Sequence, residues 1–301
     1  MSNPNQNSAL DTLEGRTDLP FIALVDGQVD LFLRAQDGAI TRLTNDSATE
    51  ADPALSPSGE QIAFSSDRDG DPDLYLLSST GGRPKRLTNL AGAEASPSWS
   101  PDEQGLVFVH GRATDNEDLY IVAANGSAPQ PITRLGGITD SPSWSPDGKW
   151  IAFDHWDGGH DIYLTRPDGS GLRNLTKSGN VNHGAPPVWA PDSKTLAVNA
   201  YTRLEHECPD YYASCPLATI GNVKLVSVTT GEARNIVEEN LEHIAVGWQD
   251  ESVILGQSSE TGAYRLIEAD LESGKTKILR NEPPLPCCLG WGTDDVFQMS
   301  Q

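Results

Sequence analysis

The stretch Pro142-Ser-Trp-Ser-Pro-Asp-Gly148 decides the fold, because its first six residues also occur at 97–102. Weaker copies stand at 53–58, 187–192, 246–250 and 289–294. One residue in each copy marks the register: Leu55, Trp99, Trp144, Trp189, Trp248 and Trp291. Successive markers are 44, 45, 45, 59 and 43 residues apart. Six copies at this interval, one of them lengthened by an insertion, indicate a repeat architecture.

Each repeat contains four short segments with the pattern of β-strands. In the repeat marked by Trp144, the first segment ends at the marker and a Ser-Pro-Asp-Gly turn follows, since Pro and Gly favour tight reversals. The second and third strands are predicted at Trp150–Asp154 and Asp161–Thr165, and the fourth strand is predicted to end in Asn174–Thr176. These segments alternate and are rich in β-branched and aromatic residues, and we see no amphipathic helical pattern. Four-stranded repeats of this length are typical of a β-propeller.

The two ends of the chain are expected to complete one blade. The N-terminal part supplies segments that match strands two, three and four: Phe21–Leu24, Asp30–Ala35 and Ile40–Thr44. Leu289–Gly292 matches strand one, and Val296–Ser300 competes as a second C-terminal strand. The blade is therefore split as one plus three strands or as two plus two. In either case, pairing of the two ends closes the ring and removes exposed sheet edges.

The prediction is an all-β protein, a six-bladed β-propeller of four-stranded antiparallel blades. The propeller spans residues 21–301 and follows a polar N-terminal tail, 1–20. An insertion loop, 201–222, belongs to blade five.

The repeats resemble those of the TolB-type six-bladed propellers, a WD40-like family with the PD40 repeat. The resemblance rests on the string at 142–148, on Ile151-Ala-Phe153, on Asp161-Ile-Tyr163 and on Asn174-Leu-Thr176, and it covers about residues 21–300. It implies the propeller fold and binding of partner proteins at a channel mouth. Related propellers, the oligogalacturonate lyases, hold a metal with histidines, so the resemblance also leaves room for an enzyme.

The charge of the chain excludes two classes of partner. It has 43 acidic and 21 basic residues and a net charge of −22. Such a surface repels nucleic acid phosphates and anionic lipids. The sequence has no apolar run of eighteen residues, so it predicts no membrane span. Nothing in it indicates a subunit interface, and we expect a monomer.

Blade topology places the unusual residues on one face. The end of strand two and the loops that precede strands three and one lie there, and we call it the histidine face. The Ser-Pro-Asp-Gly turns lie on the opposite, turn face. All six histidines and all four cysteines map to the histidine face: His110, His155, His160, His183, His206, His243, Cys208, Cys215, Cys287 and Cys288. We predict a channel mouth there that binds a protein, peptide or small ligand through His110, His155, Trp156, Tyr211 and Tyr212.

A second set of residues stands just before strand one, about one per blade. It consists of Glu50, Glu94, Asp140, His183 and His243. Carboxylates and imidazoles that converge on one axis suit a divalent cation such as Ca²⁺, Mn²⁺ or Zn²⁺. They equally suit a polar, water-filled channel, and no cofactor is certain. If the protein is an enzyme, His155 and Asp154 are the candidates for moving protons.

The insertion loop contains Cys208 and Cys215, which a disulfide would join. The alternative is a zinc site with His206, for which no fourth ligand is evident. A disulfide indicates an oxidising compartment, so together with the resemblance it favours a periplasmic or secreted protein, with a cytoplasmic one still open.

No catalytic motif accompanies the repeats. The sequence has no Gly-x-Ser-x-Gly, no His-Glu-x-x-His and no phosphate-binding glycine loop. Two hypotheses follow. The first, which we favour, is a stand-alone binding propeller. The second is a metal-dependent lyase or hydrolase with its site at the same channel mouth.

Overall fold

The structure is a computed structural model that describes residues 18–35, 38–112, 116–177, 186–203, 219–236, 243–249, 252–258, 264–271, 275–281 and 297–298. Within these ranges the chain is all β: the strands form six four-stranded sheets, and no segment is helical. No helix able to cross a bilayer is therefore found in the described part of the chain.

Five of the sheets each take four consecutive strands with antiparallel pairing. The second sheet consists of β4 (Glu50–Leu55), β5 (Gln61–Ser66), β6 (Asp73–Ser78) and β7 (Lys85–Arg86). The third consists of β8 (Ala93–Trp99), β9 (Gly105–Arg112), β10 (Asp118–Ala123) and β11 (Gln130–Pro131). The fourth consists of β12 (Ile138–Trp144), β13 (Ile151–Trp156), β14 (His160–Thr165) and β15 (Arg173–Asn174).

The fifth and sixth sheets repeat this order. The fifth consists of β16 (Val188–Trp189), β17 (Thr195–Arg203), β18 (Thr219–Ser227) and β19 (Ala233–Asn235). The sixth consists of β20 (His243–Gln249), β21 (Ser252–Ser258), β22 (Tyr264–Ala269) and β23 (Thr276–Asn281). The first strands of consecutive sheets contact one another, from β4 through β8, β12 and β16 to β20.

The first sheet joins the two ends of the chain. It consists of β1 (Leu19–Val25), β2 (Gln28–Arg34), β3 (Ile40–Arg42) and β24 (Phe297–Gln298). Three N-terminal strands thus combine with one C-terminal strand, but β24 runs parallel to β1, whereas we predicted antiparallel pairing. The free edge of β1 presents N–H and C=O groups that a short segment can satisfy in either direction. Leu289–Gly292 lies outside the described residues, and the closed six-bladed ring stays a prediction.

The fourth strand of the fourth sheet was expected to end at Thr176, but β15 ends at Asn174. In the second sheet β7 likewise ends at Arg86, two residues before the equivalent threonine, Thr88. The threonine does not continue the strand pairing, because its hydroxyl accepts a hydrogen bond from the backbone of the third strand. Thr88 Oγ1 accepts from the N–H of Leu74 at 2.9 Å.

The Ser-Pro-Asp-Gly turn is held by its own side chains. Ser145 Oγ donates to Asp147 Oδ1 at 2.7 Å and accepts from the N–H of Trp150 at 2.9 Å. Gly148 has φ +70°, a conformation that glycine adopts without steric cost. The serine, aspartate and glycine of the repeat are therefore turn residues.

Three of the marker tryptophans each connect their sheet to the one before it. Their rings lie in apolar clusters between consecutive sheets, and their indole N–H groups donate to carbonyl oxygens of the preceding first strand. The acceptors are Ala54 O for Trp99 (3.0 Å), Ser143 O for Trp189 (2.9 Å) and Val188 O for Trp248 (3.2 Å). Trp144 is the exception, because its Nε1 is buried without a hydrogen-bond partner among the described residues.

Candidate functional site

The first strands of the second, third and fourth sheets, which would line the predicted channel, are interrupted by a β-bulge at the same place. The bulges of β4, β8 and β12 contain Asp52, Ser96 and Ser141, with φ values of +49°, +50° and +52°. A bulge sets two residues opposite one and redirects a side chain, often next to a functional site. Here the repeat places one polar residue per sheet in this strained position.

A hydrogen-bond chain runs through these bulges. The N–H of Ser96 donates to Asp52 Oδ2 at 3.0 Å, and Ser96 Oγ donates to Asp140 Oδ1 at 2.7 Å. Asp140 Oδ1 also accepts from the N–H of Ser141 at 2.7 Å. The chain links the second, third and fourth sheets, so Asp140 is engaged between sheets.

Glu50 is fully buried at the start of β4. Its Oε1 is paired with Arg68 and accepts from Ser66 Oγ at 3.4 Å, and its Oε2 has no hydrogen-bond partner among the described residues. Burial raises the pKa of this carboxyl to about 7, because desolvation outweighs the attraction of Arg68. Glu50 is thus a buried group that titrates near neutral pH.

Glu94 occupies the same place in the third sheet and is also fully buried. Its Oε2 accepts from Thr88 Oγ1 and from the N–H of Leu74 (3.3 Å), and its Oε1 from the N–H of Leu90 (3.1 Å). Burial raises its pKa in spite of these bonds. Glu94 therefore connects the second sheet to the third.

The predicted metal ligands are only partly described. Within the described ranges, no three His, Cys, Asp or Glu side chains come together as a metal-binding group. Glu50, Glu94 and Asp140 are each held by protein donors, as given above. His183 lies outside the described residues, as does the side chain of His243, whose backbone begins β20. The metal site stays a prediction.

The two candidate proton-moving residues lie side by side on β13. His155 is 2% exposed, and its Nδ1 is 2.9 Å from Thr139 Oγ1. Its ring makes a T-shaped contact with the ring of Tyr163, and the two ring centroids are 5.1 Å apart. Burial lowers its pKa, which favours the neutral imidazole. Asp154 is buried, with Oδ2 3.2 Å from His160 Nδ1. Their catalytic role stays a prediction.

Of the predicted contact residues, the structure describes three. His110 Nε2 lies 3.1 Å from Ala91 O, and its ring lies 4.8 Å from that of Tyr120. Trp156, at the end of β13, is 37% exposed. Tyr211 and Tyr212 lie outside the described residues, as do Cys208 and Cys215.

Arg68 was not among the site residues predicted from the sequence. Its guanidinium pairs with Glu50, lies 3.4 Å from Asp46 Oδ2, and stacks on Tyr75 at 4.9 Å from the ring centroid. A signal was present, since Arg68 is the single basic residue in the acidic run 67–73. Long-range ion pairs cannot be assigned from such a run alone.

Comparisons with known proteins agree on the fold. The model of the family described as "TolB beta propeller domain" matches residues 15–113 and 85–209. A putative TolB from Agrobacterium tumefaciens is 25% identical with a TM-score of 0.56, and the match covers 72% of this chain and 79% of that one. An oligogalacturonate lyase in complex with manganese has 16% identity, a TM-score of 0.62 and coverage of 89% and 75%. A nidogen/laminin complex has 12% identity and a TM-score of 0.59, and the match covers 85% of this chain and 90% of that one.

Proposed function

Because this chain belongs to the TolB beta-propeller domain family, we propose that it is a propeller that binds a protein or peptide, or a small ligand, on its histidine face. The observation that carries the proposal is the exposed indole of Trp156 on that face. Tryptophan is enriched at the centres of protein interfaces, where its large ring is desolvated and its N–H finds a partner.

The histidines of this face support binding more than chemistry. His155 is buried and bonded to Thr139, and His110 contacts a backbone carbonyl. Both imidazoles are thus engaged by protein groups, whereas the Trp156 indole is exposed. Solved propellers of this fold include a TolB and a protein complex as well as lyases, so binding by this chain remains our proposal.

Peptide display gives a direct test. Peptides would be selected on the wild-type protein and then measured against Trp156→Ala, which we expect to weaken the selected peptides by about tenfold or more, as for a hot-spot residue. Leu172→Ala is the matched control, because Leu172 is also 37% exposed but lies on the turn face, before β15. Equal affinity of selected peptides for wild type and Trp156→Ala would refute this use of the face.

The alternative is a metal-dependent lyase or hydrolase at the same mouth. It is supported by the likeness in fold to a lyase that holds manganese. The ligands we would assign are His183 and His243 with acidic companions. Calorimetric titration of Mn²⁺, Zn²⁺ and Ca²⁺ into wild type and the His183→Ala/His243→Ala double variant tests it. If none of the three ions binds the wild type saturably, the metal-dependent mechanism is refuted.

Three further expectations belong with this proposal. The six sheets would close into one ring, the protein would be a monomer, and it would be periplasmic or secreted with a Cys208–Cys215 disulfide. Thiol counting under denaturing conditions, before and after reduction, tests the disulfide. Light scattering tests the monomer.

A further inference from the structure

A cleft lies between the fifth and sixth sheets on the turn face, opposite to the histidine face. Its volume is about 910 Å³, which is within the range of ligand pockets. Its apolar lining includes Ala190, Leu225, Trp248 and Leu271. Its charged residues are Asp192, Glu232, Arg234 and Asp270, all exposed at the rim.

The interface one sheet earlier contains a tryptophan at the corresponding place. Trp150 packs against the apolar cluster between the fourth and fifth sheets. Arg166 and Arg173 lie over its ring, with guanidinium carbons 5.1 and 5.6 Å from the ring centroid. An indole held by arginines thus fills that interface.

Strand register identifies the equivalent positions. Trp144 pairs with Ile151 and Trp189 pairs with Leu196, so Trp150 and Thr195 precede equivalent residues. Arg173 pairs with Leu164, as Arg234 pairs with Leu225. The equivalent pairs are Trp150 and Thr195, Arg173 and Arg234, Leu164 and Leu225, and Trp189 and Trp248. The second member of every pair lines the cleft.

The cleft therefore lies at the place that the Trp150 indole fills one interface earlier, where the fifth sheet has Thr195 instead of a tryptophan. Arg234 stands where Arg173 covers the indole.

We propose that this cleft binds a tryptophan side chain of a basic partner peptide. The indole takes the place of the Trp150 ring, between Leu225 and Trp248, and Arg234 covers it by a cation–π contact. Basic residues on either side of the tryptophan face Asp192, Glu232 and Asp270. The net charge of −22 further favours a cationic partner.

The test uses a blocked lysine-tryptophan-lysine tripeptide in calorimetric titration, with lysine-alanine-lysine and glutamate-tryptophan-glutamate as control probes. The wild type is expected to bind only the first probe appreciably. Thr195→Trp fills the cleft from within, so affinity should fall roughly tenfold or more. Thr195→Ser keeps the space and should bind as the wild type does. Arg234→Ala should cost about two- to fivefold, the size of an exposed cation–π contact.

Arg234→Ala serves as a second test in case Thr195→Trp does not fold, because Arg234 is exposed at the rim. Binding unchanged by both variants overturns the proposal, and so does equal binding of the alanine probe or no binding of the tryptophan probe at millimolar concentration. Self-association abolished by Thr195→Trp would assign the cleft to a second copy and overturn the peptide. Trp156→Ala should leave tripeptide binding unchanged, which separates this site from the proposed function.

Discussion

The indole hydrogen bonds between sheets should be measurable one at a time. Trp99→Phe keeps a smaller aromatic ring in the cluster and removes the N–H that donates to Ala54 O at 3.0 Å, together with part of the ring volume. The lost bond and the carbonyl left short of a donor together should lower the free energy of unfolding by about 1–3 kcal/mol. Urea unfolding followed by far-UV circular dichroism measures it.

Trp144→Phe is the matched control. The same atoms are removed, but Trp144 Nε1 is buried without a partner among the described residues, so the change relieves an unsatisfied donor. The two substitutions share the loss of ring volume, and their difference isolates the hydrogen bond. We expect Trp99→Phe to be the more destabilising variant by about 2 kcal/mol. Equal loss of stability in both variants would refute the role of the indole N–H.

Three more predictions concern other polar residues of the sheets. The folded-state pKa of Glu50 is about 7, above its ordinary 4.5, so the folded state binds more protons between these values and stability falls as pH rises through them. Between pH 4.5 and 7.5, the free energy of unfolding of the wild type, measured in urea, should fall by about 1–3 kcal/mol relative to that of Glu50→Gln. A difference between the two proteins that does not change with pH would contradict the shifted pKa. Thr133→Val removes bonds to the N–H of Leu119 (2.8 Å) and to Asp118 (2.9 Å) and should cost about 1–3 kcal/mol, whereas Thr133→Ser should cost less; urea unfolding at pH 7 decides. Ser96 has φ +50°, so Ser96→Gly should have a free energy of unfolding about 1 kcal/mol higher than that of Ser96→Ala, because both lose the hydroxyl but glycine alone is unstrained; equal free energies in urea unfolding would argue against strain.

The strands were predictable because the repeat appears several times. The predicted Asp161–Thr165 is β14 to within one residue, and the predicted Trp150–Asp154 is β13 to within two residues at either end. Each copy gives independent evidence for the same pattern, so the strands persist even where one copy is degenerate. The ends of the fourth strands were shifted because the Thr88 hydroxyl bonds to the third strand, a contact that periodicity does not encode.

The candidate site was less predictable because it depends on contacts between repeats. Sequence spacing suggested Glu50 and Glu94 as residues of one ring, but Arg68 engages the first and Thr88 the second. The open cleft was missed for a related reason. It appears only when Trp150 and Thr195 are recognised as equivalent, which requires strand register.

The marker tryptophans bond to a sheet that precedes them in the chain, so during synthesis the acceptor is made before the donor. The donor for Ala54 O is Trp99, 45 residues later in the chain. At roughly 5–20 residues per second, a ribosome needs about 2–9 s to add it. Each sheet thus emerges before the tryptophan that will bond to it from the next sheet. A nascent propeller therefore has, at its growing end, one sheet that still lacks this hydrogen bond. Codon choice or a pause that lengthens this interval would expose that sheet's edge to wrong partners for correspondingly longer.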